Sequence, residues 1–249
     1  MNFDKITNEY YSQWLGISPE IINTNRVILT VSPERDKIQI GYSHAFHIYT
    51  YITQNQIIIS CSKKTLEKVN EIKGQIQPEM TADQVAVIME VALNVPIGRS
   101  IKFCYNQIPS DIDTTNVVQL TDDHYHKYLE FFMTQHRNGS PEGWLEEYFY
   151  DISRNGYVFG VFENDKLVSV TDAPDMPFMQ DKVQEIGINT LSEYRCKGYA
   201  KSVTLSCIKA IIEKGKCPLW SCSTHNTASE RLAYSVGFRK LADVLTLGI

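Results

Sequence analysis

The basic segment at residues 195–200 has the residue types of an anion-binding site. It reads RCKGYA and lies just before a stretch of helical periodicity that begins near Ala200. The first turn of a helix exposes unpaired backbone N–H groups at the positive end of the helix dipole, and such groups bind phosphate. Gly198 lets the backbone approach an anion closely, while Arg195 and Lys197 add positive charge. The segment predicts a phosphate or diphosphate site, with a capped turn bearing solvated basic side chains as the alternative.

A carboxylate precedes this segment on a predicted strand, residues 183–191. Glu185 lies ten residues before Arg195, and regular alternation places it on the face opposite Ile186 and Ile188. Alkyl amines have a pKa near 10 and are mostly protonated at neutral pH, so a reaction at an amine gains from a general base. Glu185 is therefore a candidate base, with a partly exposed strand carboxylate of no chemical role as the alternative.

The elements that must position these residues follow a regular order in the second half of the chain. Alternating β-branched and aromatic residues predict strands at 117–120, 157–162, 167–171, 183–191, 218–223 and 238–247. Helical spacing and capping residues predict helices that begin at Thr121, at Ser140-Pro141, near Ala200 and at Thr227. The resulting order is β-α-α-β-β-β-α-β-α-β.

The first half reads as a mixture of strands and helices without a catalytic motif. Strands are predicted at 26–31, 48–61 and 101–106, and helices at 65–73 and 81–93. The polar stretch 109–116 combines turn-forming residues with little apolar content. It predicts a boundary between an N-terminal domain, residues 1–113, and a C-terminal domain, residues 117–249. The fold class expected for the whole chain is α+β.

Composition excludes several classes of protein. The chain has 249 residues and a net charge of −5, which argues against a general nucleic-acid binder because such proteins neutralise phosphates. No apolar run approaches the roughly 20 residues of a membrane span, and no export signal is visible, so we expect a cytoplasmic protein without a membrane partner. The six cysteines form no CxxC pair, and His44 and His47 lack a third ligand. We therefore expect free thiols and no metal.

Taken together and in order, several motifs of the second half resemble those of the GNAT superfamily of acyl-CoA N-acyltransferases. The matching residues are Arg195, Gly198, Ala200, Asn226, Leu232 and Gly237-Phe238. The resemblance covers residues 117–249 and implies a GNAT fold, with a central mixed, mostly antiparallel sheet flanked by helices. The first 113 residues would then be an additional, smaller α/β domain that shapes the acceptor pocket or makes a homodimer contact.

The resemblance implies transfer of an acetyl group from acetyl-CoA to a primary amine of a small molecule or peptide, by direct transfer in a ternary complex. Main-chain groups of residues 188–190 would hold the pantetheine arm, the Ile188 N–H would polarise the thioester carbonyl, and residues 195–200 would bind the diphosphate. Asn226 would contact the cofactor, or would only cap a helix. The implied cofactor-binding residues are Ile188, Asn189, Thr190, Arg195, Cys196, Lys197, Gly198, Tyr199, Ala200 and Asn226.

The chain departs from the family pattern at the residue that protonates the leaving thiolate. Many GNAT enzymes carry a tyrosine four residues before the Gly-Phe glycine, but this chain has Ala233 there and Tyr234 beside it. Tyr234 is the candidate acid only if the helix is shifted, since neighbouring helical residues differ by about 100° in direction. This departure supports the alternative of a non-catalytic acyl-CoA-binding or interaction module. An acyl-cysteine intermediate on Cys196 or Cys222 is disfavoured because no activating base is evident.

Overall fold

The computed structural model describes residues 1–22, 24, 26–40, 42–107 and 114–248. The helices in these ranges are α1 (Phe3–Leu15), α2 (Leu66–Lys73), α3 (Ala82–Leu93), α4 (Tyr125–Gln135), α5 (Leu145–Arg154), α6 (Tyr199–Glu213) and α7 (Thr227–Ser235). The strands are β1 (Val27–Val31), β2 (Phe46–Ile52), β3 (Ile57–Cys61), β4 (Gly98–Tyr105), β5 (Val117–Gln119), β6 (Phe159–Glu163), β7 (Lys166–Asp172), β8 (Val183–Glu185), β9 (Gly187–Thr190), β10 (Cys217–Ser223) and β11 (Phe238–Gly248). No helix in the part of the chain that the structure describes is long and apolar enough to cross a membrane.

The strands form two sheets. One has seven strands in the order β1-β3-β2-β11-β4-β10-β8, and the other has four in the order β5-β6-β7-β9. The β1–β3 and β10–β8 pairs are parallel, whereas the remaining described pairs are antiparallel. This architecture confirms the expected mixed, mostly antiparallel sheet flanked by helices.

The seven-stranded sheet joins strands from both sides of the predicted domain boundary. Strand β4 lies between β10 and β11, and β2 pairs with the other edge of β11. Positions 109–113 of the predicted boundary segment lie outside the described residues. The division into residues 1–113 and 117–249 stays a prediction, and the sheet gives the two ranges one continuous hydrogen-bonded surface.

Helix α1 has no counterpart among the predicted elements. Its N-terminus is capped by the side chain of Asn2, which accepts from Lys5 N at 3.0 Å, and it ends at Gly16 with a φ of +74°. The residues that it buries against the seven-stranded sheet are mainly aromatic: Tyr10, Tyr11, Trp14 and Leu15. The helix therefore covers one face of the seven-stranded sheet at β8 and β10.

A buried arginine fixes the C-terminal end of α1. Arg35 is fully buried, its Nη2 donates to Trp14 O at 2.8 Å, and its guanidinium lies 4.9 Å from the Trp14 ring centroid and 5.2 Å from that of Tyr49. A cation at a helix C-terminus is favoured by the helix dipole, and its stacking on two rings adds attraction. Arg35 therefore holds the rings of Trp14 and Tyr49 in place.

Three predicted elements have different bounds. The predicted strand 48–61 is the hairpin of β2 and β3, closed by the bond from Thr53 N to Gln56 O at 2.9 Å. The helix predicted from Ser140-Pro141 begins at Leu145, because Gly143 has a φ of +82° and interrupts helical backbone before it. The predicted strand 183–191 is β8 and β9, which belong to different sheets.

Candidate active site

The two sheets separate at Ile186, between β8 and β9. Strand β8 pairs in parallel with β10, and Ile186 N still donates to Leu219 O at 3.1 Å. From Gly187 onward the chain pairs with β7 instead, while residues 219–223 of β10 pair on their far side with β4. An open cleft therefore lies between β9 and the second half of β10.

The main chain of β9 presents polar groups to this cleft. Leu191 N donates to Val168 O at 2.9 Å, and the register pairs Asn189 with Val170. Because hydrogen-bonded and non-hydrogen-bonded positions alternate in an antiparallel ladder, the N–H and C=O groups of Ile188 and Thr190 point away from β7 and into the cleft. The Ile188 N–H is thus available to polarise a carbonyl, as an oxyanion-hole donor does.

The loop after β9 gathers further backbone donors. Gly198, with a φ of +88°, is the N-cap of α6, no side chain caps the helix, and Cys196 also has a positive φ, +62°. Among the described residues, the backbone N–H groups of positions 196–201 have no hydrogen-bond acceptor. The loop is exposed, so six amides at the positive end of a helix of 15 residues are accessible to an anion.

The charged and polar side chains of this loop leave those amides open. Arg195 Nε donates to Thr190 O at 3.3 Å, and Lys197 Nζ lies 4.8 Å from the ring centroid of Tyr194. The Tyr199 hydroxyl donates to Glu163 at the end of β6, a contact that raises the pKa of Tyr199. The side chains therefore brace the loop while the basic groups of Arg195 and Lys197 remain exposed.

Asn226 lies at the N-terminus of α7. Its Oδ1 accepts from Ser229 N at 3.1 Å, which is the bond of a helix N-cap. The capping alternative is thus confirmed as a contact, and the contact of Asn226 with a cofactor stays a prediction.

Glu185 lines a cavity between α1 and the seven-stranded sheet. This Glu185 cavity has a volume of about 190 Å³, and its other walls include Tyr10, Trp14, Tyr49 and Lys102. Glu185 is half-buried and accepts a hydrogen bond from the Ser221 hydroxyl on β10. Burial, with a further contribution from the charge of Glu185, raises the pKa of Tyr10, so that hydroxyl stays neutral beside the carboxylate.

A second carboxylate, which the sequence analysis missed, interacts with the charge of Glu185. Asp172 ends β7 and pairs with Gly187, where an added Cβ would lie 3.6 Å from Cβ and Cγ of Asp172. Burial and the charge of Glu185 raise the pKa of Asp172, whereas a hydrogen bond with Tyr148 lowers it. No motif marks Asp172, because its importance depends on a strand pairing that the sequence does not reveal.

Tyr234, the other predicted catalytic residue, lies on the exposed side of α7. Tyr234 is 47% exposed, its hydroxyl donates to Glu230 at 3.3 Å, and its ring packs against Phe103 with centroids 5.6 Å apart. Ala233, at the usual tyrosine position, is fully buried in the core. Burial and the neighbouring Glu230 raise the pKa of Tyr234, which keeps the hydroxyl protonated at neutral pH. Its role as a proton donor stays a prediction.

All six cysteines are free thiols. Cys196 is exposed, whereas Cys222 is buried and its burial raises its pKa. In the ranges that the structure describes, no group of three or more His, Cys, Asp or Glu side chains could hold a metal ion.

Comparison with known proteins identifies the family. A family model described as GNAT acetyltransferase matches residues 99–243, a range that begins within β4. The uncharacterized N-acetyltransferase YdfB of Bacillus subtilis (strain 168) is 28% identical over 120 residues, which cover 47% of this chain and 45% of that protein. The match thus spans less than half the length of that curated relative.

A solved structure shares the fold at low sequence identity. A GNAT-family acetyltransferase from Colwellia psychrerythraea superposes with a TM-score of 0.53 at 13% identity, covering 82% of this chain and 81% of that one. A GCN5-related N-acetyltransferase-like protein from Streptococcus suis 89/1591 superposes with a TM-score of 0.41 at 14% identity, covering 78% and 72%. With the family model matching more than half of its length, the chain belongs to the GNAT acetyltransferase family.

Proposed function

We propose that the protein is an N-acetyltransferase that moves the acetyl group of acetyl-CoA to a primary amine of a small molecule or peptide within a ternary complex. The observation that carries the proposal is the cleft between β9 and β10. One end of the cleft has the inward-pointing Ile188 N–H, and the other has the unpaired amides of positions 196–201. These two donor sets suit the two ends of one ligand, a thioester carbonyl and a diphosphate.

Each group of the cleft has a separate task in this proposal. The amides of positions 196–201, helped by Arg195 and Lys197, bind the diphosphate, and the polar backbone groups of Ile188 and Thr190 hold the pantetheine arm. The Ile188 N–H stabilises the negative charge that develops on the thioester oxygen as the amine attacks. Asn189 contributes its main chain to the same strand, and Asn226 approaches the cofactor from α7.

Glu185 takes the proton of the attacking amine, either directly or through one water molecule. The carbon–nitrogen bond forms, the carbon–sulfur bond breaks, and CoA leaves as a thiolate that is protonated by Tyr234 or by solvent. The support for Glu185 is its position in a cavity beside the β8–β9 junction, with the Ser221 hydroxyl fixing the carboxylate.

The test is release of CoA thiol from acetyl-CoA in the presence of primary amines. Glu185→Gln should lower kcat by about 100-fold or more, which is the usual contribution of a general base, while the Kd for acetyl-CoA stays unchanged. The deficit should shrink as pH rises, because a growing fraction of the amine is already neutral. The control Glu213→Gln removes an exposed carboxylate at the far end of α6 and should leave kcat unchanged.

A non-catalytic acyl-CoA-binding module is the second candidate, favoured by the fully buried Ala233 at the usual tyrosine position. It predicts binding of acetyl-CoA with no thiol release for any amine. Tyr234→Phe tests the proton donor of the enzyme. If Tyr234 protonates the thiolate, loss of its hydroxyl should lower kcat with KM unchanged; if it is only a surface hydroxyl bonded to Glu230, neither constant should change.

A further inference from the structure

The Asp172 cavity is a pocket of about 180 Å³ between the α4–α5 pair and the face formed by β7 and β9. The residues that matter to its chemistry are Tyr128, Phe132, Trp144, Tyr148, Asp172 and Asn189. Asn189 belongs to the same strand as the Ile188 N–H, so the cavity adjoins the strand that would hold the thioester.

Two of the residues that line this cavity carry a buried polar atom without a hydrogen-bond partner. The atoms are Asp172 Oδ1, an acceptor, and Gln135 Nε2, a donor. A buried polar group without a hydrogen bond costs about 1–3 kcal/mol, so such groups in a native fold call for an explanation. A ligand that satisfies them supplies one.

The electrostatics of the cavity favour a cation. The side chains near Asp172 that influence its ionisation are the Tyr148 hydroxyl and Glu185. No lysine or arginine lines the described walls, and His136 is the one basic side chain among them. Among the described residues Asp172 makes no salt bridge, and a buried carboxylate without a bound cation is unfavourable.

Aromatic rings surround the same point. Phe132 and Trp144 meet edge to face with centroids 5.5 Å apart, and Trp144 and Tyr148 follow at 6.0 Å. Trp144 is 46% exposed at the mouth of the cavity, and its Nε1 donates to Ser140 O at 2.7 Å, which fixes the ring. Electron-rich faces around a carboxylate are the surroundings that bind organic ammonium groups.

We infer that the acceptor is a diamine or polyamine, and that Asp172 and the aromatic walls of its cavity bind a second ammonium group while the amine next to Glu185 is acetylated. This inference rests on the proposed function. Asp172 pairs with Gly187, two residues after Glu185 in the chain, which places the two carboxylates within the span of a short aliphatic diamine. The reacting amine loses its proton to Glu185 and gains the acetyl group, and the second ammonium stays protonated against Asp172.

The experiment compares matched amines. The diamines are 1,3-diaminopropane, 1,4-diaminobutane and 1,5-diaminopentane, and each is paired with the monoamine in which a methyl group replaces one ammonium: n-butylamine, n-pentylamine and n-hexylamine. CoA thiol release at saturating acetyl-CoA gives kcat/KM for each. At least one diamine should exceed its monoamine by about tenfold or more, as expected for a hydrogen bond between charged groups.

Asp172→Asn keeps the size of the side chain and removes its charge. It should lower kcat/KM for that diamine by about tenfold, mainly through KM, and change kcat/KM for the monoamine by less than about threefold. Asp181→Asn, which removes an exposed carboxylate outside the cavity, should keep the wild-type preference. Trp144→Leu, which keeps the charge of Asp172, should also weaken the diamine preference and serves as a second variant should Asp172→Asn not fold.

Two results overturn the inference while the proposed function stands. One is equal kcat/KM for diamines and monoamines, or no transfer to any of the six by a protein that does acetylate another primary amine. The other is an equal loss for both classes of amine in folded Asp172→Asn. Failure of the proposed function gives a different result, namely no heat of binding with acetyl-CoA, or binding without thiol release for any primary amine.

Discussion

Replacing Gly198 by alanine should weaken acetyl-CoA binding out of proportion to its effect on stability. Gly198 has a φ of +88°, and an added Cβ meets no heavy atom within 4 Å. The cost to the fold is therefore conformational, about 1–2 kcal/mol for an L-residue in this region. In a chain of 150–250 residues each 1 kcal/mol lowers Tm by about 2–4 °C.

Binding should suffer more because the methyl group enters the space above the amides of positions 196–201. Losing one hydrogen bond to a charged phosphate costs about 1.5–3 kcal/mol, which raises Kd by roughly 10- to 100-fold. Gly215 supplies a matched control at the other end of α6, since its φ is +77° and an added Cβ there also meets nothing within 4 Å.

The assays are thermal unfolding and calorimetric titration with acetyl-CoA for Gly198→Ala, Gly215→Ala and the wild type. Both variants should lose a similar amount of Tm, and only Gly198→Ala should bind acetyl-CoA more weakly. Binding of acetyl-CoA to Gly198→Ala within about twofold of the wild type, a difference well below one charged hydrogen bond, would contradict a diphosphate site at this loop. Equally weakened binding to Gly215→Ala would contradict it too.

Three further predictions follow from burial and backbone geometry. Iodoacetamide at pH 8 should alkylate Cys196 first, because the other cysteines are buried and burial raises the pKa of Cys104 to about 12. Bound acetyl-CoA should slow the alkylation of Cys196, measured by mass spectrometry. An unchanged rate contradicts the assignment of the loop as the diphosphate site. Since burial raises the pKa of Asp172 in the folded protein, stability falls as pH rises from the unfolded carboxyl pKa of about 3.9 toward that raised value. The Tm gain of Asp172→Asn over the wild type should therefore be larger at pH 8 than at pH 4, and equal gains argue against a buried charge. Gly237→Ala places a Cβ 2.0 Å from Gln107 O at a φ of +102°. The free energy of unfolding should therefore fall by about 3 kcal/mol or more, measured as a lower Tm, and a wild-type Tm is inconsistent with this packing.

Local signals in the sequence were sufficient where the structure depends on local geometry. The predicted cap Thr81 makes a capping box with Gln84, and the predicted turn after β6 contains Asn164 and Asp165 with φ values of +49° and +62°. The basic loop with Gly198 also precedes a helix as predicted, because glycine in a left-handed conformation and helical periodicity are both visible in the residues themselves.

Features that depend on distant pairing escaped the sequence analysis. The change of sheets at Ile186 gives no local signal, since residues 183–191 alternate like one strand, and only their partners in β10 and β7 differ. The surroundings of Glu185 come from α1, whose aromatic residues lie more than 170 positions earlier in the chain. Asp172 was missed for the same reason, because its environment requires β9 and the α4–α5 pair.

The most direct test of the central claim is an amide ¹⁵N–¹H correlation spectrum of the labelled protein, recorded with and without saturating acetyl-CoA. If the cleft holds the thioester and the loop holds the diphosphate, the largest downfield proton shifts should belong to Ile188 and to positions 196–201. If those resonances stay in place while others move, or if no resonance in the spectrum changes, the cleft and the loop do not bind acetyl-CoA as proposed.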